Sequence, residues 1–227
     1  MSKLLSPAEE RCQAAHRDAL RHNTYRSRGE LALRDALERW ARDRYPEARL
    51  VHELVMGRGK VRADMAAIEP HSLVAFEIKS WFDDVTRLLH QCMMYRLAVP
   101  ELWLVTLARH RDDCDLVRWL APSIGLLLAH PLPGGDSESG PYRLEVAAEA
   151  GVIDPHPEAL LHLCWVAELA AIAGYQGSRT PTHAQLVKSL LADLEPQDRL
   201  AGVCRQLRAR DALWRADPPI RDGRGHG

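Results

Sequence analysis

The stretch 61–80, VRADMAAIEPHSLVAFEIKS, decides the fold of this chain. Its two halves, 61–69 and 73–80, are rich in strand formers and flank a short turn that contains proline, which predicts an antiparallel hairpin. Alternation along the second strand places Glu77 and Lys79 on the same face. That strand is otherwise apolar on both faces, so we expect it to be central and buried. Burying unpaired charge is costly, and the two charges therefore need partners or a function.

The register of this hairpin sets two acids against each other. A symmetric turn between Pro70 and His71 pairs Ile68 with Leu73. Continuing this register pairs Asp64 with Glu77 and Arg62 with Lys79. Directly opposed residues on one face have Cβ atoms about 5 Å apart. Two opposed carboxylates repel unless a cation lies between them, and Mg²⁺ prefers such hard oxygen ligands. Alternatively, the four charged residues form a solvated ion-pair patch of little energetic value.

The flanking sequence predicts an α/β fold. Leu33, Leu37 and Trp40 recur on one helical face before the hairpin, and a continuous apolar run, ELWLVTL, follows the next helix as expected of a buried parallel strand. A helix between two strands makes them parallel neighbours with a right-handed connection. The order is therefore helix, three strands, helix, strand. The predicted helices are 27–44, 83–98 and 112–119, and the predicted strands beside the hairpin are 48–56, 101–107 and 124–130.

A segment rich in Gly, Ser and Pro, LPGGDSESGP at 132–141, is typical of a linker. It divides the chain into a core domain at 1–131 and a C-terminal helical region at 142–217, and residues 218–227 are expected to be disordered. Within the helical region the pattern beyond Pro155 is entirely helical. The predicted C-terminal helices are 157–173, 182–194 and 197–215.

Composition restricts the classes of protein to consider. The chain has 227 residues, a net charge of −1 and 46% hydrophobic residues. No apolar run reaches the roughly 20 residues that span a bilayer, and the N-terminus lacks the apolar core of a secretory signal. We therefore expect a cytoplasmic protein without membrane contact. Five scattered cysteines without a CxxC pair favour reduced thiols over disulfides or zinc. Any contact with nucleic acid must come from a local basic patch.

Three short motifs carry a resemblance to a known family. Arg62-Ala63-Asp64, followed after twelve residues by Glu77-Ile78-Lys79, resembles the D…ExK signature of the PD-(D/E)XK nuclease superfamily, although many members carry proline where Ala63 stands. Gln91-Cys92-Met93-Met94-Tyr95 is similar to the QxxxY element of its RecB-like and lambda-exonuclease-like branch. The resemblance is strong over 27–107. The whole chain looks like a sparsely characterised bacterial and phage group, and the resemblance implies a restriction-endonuclease-like αβββαβ core with a C-terminal helical region.

The resemblance also implies roles for individual residues. Asp64, Glu77 and the backbone carbonyl of Ile78 would be ligands of Mg²⁺ or Mn²⁺. Lys79 would orient or deprotonate the attacking water, or neutralise charge in the transition state. Such a metal lowers the pKa of bound water and clamps a phosphate oxygen.

Further residues have two interpretations each. Glu30 is an additional acid of the metal site, or the closing residue of an Ser27-x-x-Glu30 capping box. Gln91 would help to position the substrate or the metal site, with Tyr95 packing behind it. Arg62 and Tyr95 would contact the substrate. Alternatively, Gln91 and Tyr95 are ordinary half-buried residues of one helix face.

The expected function is a Mg²⁺-dependent DNA nuclease in repair, restriction or phage defence. The alternative is a catalytically inactive nuclease-like module that binds DNA or a protein partner. The last two helices are either a helix-turn-helix-like DNA contact or a bundle that packs on the core or forms a homodimer, and acids in the last helix favour the bundle. The residues that make this helix basic are Arg199, Arg205, Arg208, Arg210 and Arg215. Those that would pack in a bundle are Leu200, Val203, Leu207 and Leu213.

Overall fold

Six strands lie side by side in one open mixed sheet, in the order in which they occur along the chain. The computed structural model describes residues 27–136, 138–179, 181–211 and 216–221. The strands are β1 (Arg49–Met56), β2 (Val61–Ile68), β3 (Leu73–Lys79), β4 (Glu101–Leu107), β5 (Gly125–Asp136) and β6 (Gly140–Ala148). The helices are α1 (Arg28–Arg44), α2 (Leu88–Ala98), α3 (Arg111–Leu120), α4 (Pro157–Leu161), α5 (Val166–Ile172), α6 (His183–Asp193) and α7 (Pro196–Ala209), with short 3₁₀ turns at Gly57–Gly59 and Ala108–His110.

The predicted order of helix, three strands, helix and strand is present at the start of the sheet. Strands β1, β2 and β3 are antiparallel neighbours, because short turns join them. Strands β3, β4 and β5 are parallel, since α2 and α3 cross over between them. The prediction of an α/β fold is therefore confirmed at the level of a mixed sheet covered by helices.

Apolar residues on both faces of the sheet explain why helices cover it on both sides. In β3, Leu73 and Ala75 belong to the core under α2 and the C-terminal helices. Val74, Phe76 and Ile78 belong to the opposite core under α1. Strand β3 is buried along its whole length, as its sequence predicts. Glu77 and Lys79 share the face that α2 covers.

The predicted linker at 132–141 is wrong, because these residues form the tip of the β5–β6 hairpin. Gly134 and Gly140 adopt positive φ angles of 83° and 74°, which glycine does without steric cost. The Asp136 carboxylate closes the turn by accepting hydrogen bonds from the backbone of Glu138 and Ser139 at 2.8 and 2.6 Å. The Gly and Ser residues therefore serve turn chemistry, and β6 lies in a region that was predicted to be helical.

The C-terminal helices match the predicted helical region, with one predicted helix, 157–173, divided into α4 and α5. Their arginines make internal contacts. Arg199 is buried and donates to the carbonyls of Leu191 and Leu194 at the end of α6. Arg210 forms an ion pair with Glu168 at 2.6 Å. These contacts favour a packed bundle over an exposed recognition helix. Residues 212–215, with Leu213 and Arg215, lie outside the described residues.

Residues 216–221 return to the sheet and run along the free edge of β1. Ala216 forms an antiparallel bridge with Val51. The backbone N–H of Asp217 donates to the Leu50 carbonyl, and the Asp217 carboxylate accepts from the Leu50 N–H, both at 2.9 Å. The disorder predicted from 218 is wrong for 218–221, because the backbone of Ile220 bonds to α7. Residues 222–227 lie outside the described residues.

Two further expectations concern thiols and membranes. The four cysteines within the described residues are free and buried, as expected, and Cys12 lies outside them. Among the helices of the described ranges, none combines the length and the apolar character that a membrane span requires.

Candidate active site

An open cleft of about 650 Å³ lies where β2, β3 and α2 meet. The sheet supplies the floor of this cleft, because β2 and β3 present their charged residues at the same end. Seven of the predicted site residues line it, and Tyr95 lies behind Glu77. The seven are Glu30, Arg62, Asp64, Glu77, Ile78, Lys79 and Gln91. The other lining residues are Glu53, Lys60, Val61, Asp83, Arg87 and His90.

The predicted register of the hairpin is confirmed from the turn to the edge of this cleft. The ladder runs from Ile68 opposite Leu73 to Met65 opposite Phe76. One position further, the Asp64 carboxylate accepts a hydrogen bond from the backbone N–H of Ile78 at 2.8 Å. The side chain thus takes the place of the next backbone bond, which holds the Asp64 carboxylate against β3.

Glu77 is a buried acid with a partner on each oxygen. One oxygen accepts from the Lys79 ammonium at 2.9 Å, and the other lies 2.8 Å from the Tyr95 hydroxyl. Burial raises the pKa of Glu77 to about 7, and the negative charge of Asp64 acts in the same direction against Lys79 and Tyr95. The Tyr95 hydroxyl also lies 2.8 Å from the carbonyl of Arg62, so its single proton is shared between two acceptors.

Lys79 is held as an ammonium inside the cleft. Its side chain is only 9% exposed. Burial acts against the charged form, but the attraction of Glu77 outweighs it and raises the pKa of Lys79. The Gln91 amide oxygen accepts a second hydrogen bond from the ammonium at 3.3 Å. Gln91 on α2 therefore fixes the position of the Lys79 charge.

Arg34 is the main site residue that the sequence reasoning missed. Its guanidinium is fully buried and pairs with Glu30 at 3.0 Å, Glu53 at 3.0 Å and Asp64 at 2.7 Å. It also donates to the Asp64 carbonyl at 2.6 Å and lies 3.2 Å from His52 Nδ1. One buried cation thus joins three acids from α1, β1 and β2.

The predicted pair of Arg62 with Lys79 lies beyond the β2–β3 ladder, which ends at Met65 and Phe76. On its other side, Arg62 in β2 faces Val55 in β1. The Arg62 guanidinium forms an ion pair with Glu53. The base that accompanies Asp64 is Arg34, which reaches it from α1.

Glu53 is the second site residue that was missed. It is 1% exposed and has a positive φ of 59°, which is unusual for a residue other than glycine. Such backbone strain is concentrated at functional sites. The alternation of β1 is shifted around Glu53, because Val51 and Leu54 are three residues apart and both belong to the same core. That shift marks an irregular residue between them.

Glu30 contributes its backbone to the cap of α1 and its side chain to the cleft. The Ser27 hydroxyl caps α1 by accepting from the Glu30 backbone N–H at 3.1 Å. The Glu30 carboxylate pairs with Arg34 one helical turn away and lines the cleft. The cap thus uses the backbone of Glu30, and its side chain belongs to the site.

The donor set fits a divalent cation with an open coordination sphere. Two carboxylates, Asp64 and Glu77, and the backbone of Ile78 line one cleft. Over the described ranges there is no group of three or more His, Cys, Asp or Glu side chains that could hold a metal ion by itself. Mg²⁺ commonly uses one or two carboxylates and completes its shell with water and substrate phosphate. The raised pKa of Glu77 indicates that positive charge beside these carboxylates would be favourable.

The exposed charged residues of this cleft are cationic. Lys60 and Arg87, together with His90, are exposed, whereas Glu53, Glu77 and Lys79 are buried. Exposed cations of this kind can neutralise phosphates.

Glu77→Gln should change how the stability of the metal-free protein depends on pH. The folded-state pKa of Glu77 is raised from 4.5 to about 7. A raised pKa stabilises the fold below the unfolded value, and this contribution is lost as pH rises through the folded value. The parent should therefore lose on the order of 3 kcal/mol relative to Glu77→Gln across that window. Chemical unfolding in EDTA at a series of pH values measures this, and a constant difference between the two proteins contradicts it.

Comparison with known proteins identifies one family. A family model described as Bacteriophage P4 protein cII matches residues 31–209. The matched span runs from α1 to the end of α7 and contains every residue that lines the cleft except Glu30. Neither the curated proteins nor the solved structures provide a match.

Proposed function

This chain belongs to the Bacteriophage P4 protein cII family, and we propose that it is a divalent-metal-dependent nuclease that hydrolyses phosphodiester bonds of DNA. The observation that carries the proposal is the convergence of Asp64, Glu77 and Lys79 in one open cleft, with exposed cations in its lining. The order of the first six elements supports a restriction-endonuclease-like core for the same chain.

Asp64, Glu77 and the Ile78 carbonyl are the residues that would hold Mg²⁺ or Mn²⁺. When bound, the cation would polarise the phosphate and activate a water molecule. Lys79 would place a fixed positive charge where the phosphate gains negative charge in the transition state. Gln91 would act as a positioning residue through its hydrogen bond to Lys79.

Tyr95 has a different proposed role from the substrate contact that its motif predicts. Its hydroxyl bonds to Glu77 and its side chain is fully buried, so it would orient the carboxylate from behind. Arg62 is half-buried and lines the cleft, which keeps it among the residues that would meet the DNA backbone.

A second candidate function is a nuclease-like module that binds DNA without turnover. One observation favours it: each oxygen of both carboxylates already has a partner inside the protein. Asp64 accepts from Arg34 and from the Ile78 N–H, and Glu77 accepts from Lys79 and Tyr95. In this case the charged cluster would serve the stability of the fold.

Mn²⁺ should stabilise the parent and not the Asp64→Ala variant. A ligand that binds only the native state raises stability by RT ln(1 + [L]/Kd), which is about 1.4 kcal/mol at tenfold excess over Kd. Melting temperatures in EDTA and in millimolar Mn²⁺ measure this effect. The same proteins are incubated with labelled single-stranded, duplex and branched DNA, and only the parent should cleave when Mg²⁺ or Mn²⁺ is present.

Asp43→Ala is the matched control, because Asp43 is an exposed acid at the other end of α1. It should respond to Mn²⁺ and cleave DNA as the parent does. Equal Mn²⁺ responses in the parent and in Asp64→Ala contradict the metal site. DNA binding without cleavage under all metal conditions would establish the second candidate instead.

A further inference from the structure

Phe82 is a large apolar side chain that is exposed to solvent beside the candidate active site. It is 69% exposed and follows Lys79 after only two residues. Single exposed apolar side chains are common on protein surfaces and need no explanation in themselves. The position of Phe82 and the anchoring of its neighbours distinguish it.

The backbone on both sides of Phe82 is fixed by side-chain contacts. The Asp83 carboxylate accepts from the Ser80 N–H and from the Ser80 hydroxyl, both at 2.6 Å. The Ser80 carbonyl lies 3.0 Å from His110 Nε2. The Arg109 guanidinium lies over the Trp81 ring at 5.2 Å. The Phe82 ring therefore points outward from an anchored turn.

Phe82 stands at the boundary between two clefts. Its neighbour Asp83 and Glu30 line the candidate active site. Phe82 itself and Gly29 line a second cleft of about 360 Å³. Phe82 is adjacent in sequence to Asp83, and Gly29 is adjacent to Glu30. The two clefts therefore adjoin at the Phe82 ring. Within the second cleft, Gly29 packs closely against Glu138, since a Cβ on Gly29 would lie 2.0 Å from the carbonyl oxygen of Glu138.

The two linings each have one more acid than base, but their exposed charged residues differ in net sign. Exposed cations line the active-site cleft, which suits phosphates. The second cleft contains Asp136 and Glu138 against one cation, Arg28, which disfavours a phosphate. An uncharged aromatic group with polar edges suits such a cleft better. A nucleobase has this chemistry, and base stacking on an exposed aromatic ring is a general mode of recognition of single strands.

We infer that Phe82 forms a base-stacking subsite for an unpaired nucleotide next to the scissile phosphate. This inference rests on the proposed function, because it places a phosphodiester in the active-site cleft. In a duplex, neighbouring bases cover both faces of each base, and unstacking one has an energetic cost. The substrate class is therefore single-stranded DNA, or duplex DNA with an unpaired end or flap.

Binding of a fluorescent single-stranded oligonucleotide in Ca²⁺ tests the subsite. Phe82→Ala should weaken binding about tenfold or more, the loss of one stacked base, whereas Phe82→Trp should bind as tightly as the parent. Trp119→Ala is the matched control, because Trp119 on α3 is 77% exposed and is absent from the residues that line either cleft. It should bind as the parent does.

An abasic scan of the oligonucleotide localises the contact. Removing the base at one position should weaken binding to the parent and should have little further effect on Phe82→Ala, because both changes remove the same stacking contact. Phe82-dependent binding without any cleavage by the parent would uphold the subsite and contradict the nuclease.

Three results overturn the subsite. One is equal affinity of Phe82→Ala and the parent for the single strand, with metal-dependent cleavage retained, which leaves the nuclease intact. Another is an equal loss of affinity in Trp119→Ala. The third is a parent that does not bind single-stranded DNA.

Discussion

Lys79→Ala should cleave DNA at least about a hundredfold more slowly than the parent in single-turnover conditions, while its DNA affinity in Ca²⁺ changes little. An interaction that is made mainly in the transition state affects the rate and not the binding of substrate. The ammonium is held charged and in place by Glu77 and Gln91, so it is pre-organised to meet charge that develops on a phosphate. The rate of cleavage and the dissociation constant are measured separately.

Lys60→Ala is the matched control, because Lys60 is an exposed lysine of the same cleft. It should weaken DNA binding and reduce its salt dependence, with the rate of cleavage at saturation unchanged. Lys79→Arg should recover only part of the rate, because a planar guanidinium cannot occupy the position of a compact ammonium. If Lys79→Ala cleaves like the parent, or loses affinity and rate in equal proportion, Lys79 has no catalytic role.

Arg34→Ala should lower the free energy of unfolding by on the order of 3–5 kcal/mol, since removing one partner of a buried ion pair leaves uncompensated charge. Three carboxylates lose their shared cation, and the Glu53 side chain is only 2% exposed. Two of these acids lie in β1 and β2 at the cleft. Denaturant unfolding at neutral pH in EDTA measures the loss.

Arg42→Ala provides the comparison for a surface ion pair. The Arg42 side chain is 52% exposed and pairs with Asp217 at 2.8 Å, so its loss should cost less than about 1 kcal/mol. Arg34→Lys should fall between the two, because an ammonium keeps the charge and loses the fork that reaches several acceptors at once. An Arg34→Ala variant as stable as the parent would show that the cluster of acids does not depend on this cation.

The first six helices and strands, α1 to β4, could be predicted because their apolar periods are strong. Alternation and apolar runs identify β3 and β4, and one recurring apolar face identifies α1. The hairpin of β5 and β6 was missed because turn residues and linker residues have the same composition. Only the alternation in β6 separates the two, and most residues of that strand are exposed or half-buried.

The candidate site could be predicted where it is local in sequence. The hairpin register places Asp64 and Glu77 at one end of two strands, and the turn alone determines that register. Arg34 could not be found this way, because an arginine in an amphipathic helix normally faces solvent. Its partner Asp64 is thirty residues away, and only the packing of α1 on the sheet brings them together. Glu53 depends on an irregular backbone that no propensity predicts.

The residues that run along β1 also cover part of a sheet edge that another chain could otherwise pair with. An edge strand with free N–H and C=O groups is a template on which another chain can add a strand, and this is a common route to aggregation. Ala216 and Asp217 occupy part of that edge at Val51 and Leu50, and Arg49 secures the position by donating to the Asp217 carbonyl at 3.0 Å. Removal of this segment would expose the backbone groups of β1 at Leu50 and Val51, so the segment shortens the part of this edge that is open to pairing.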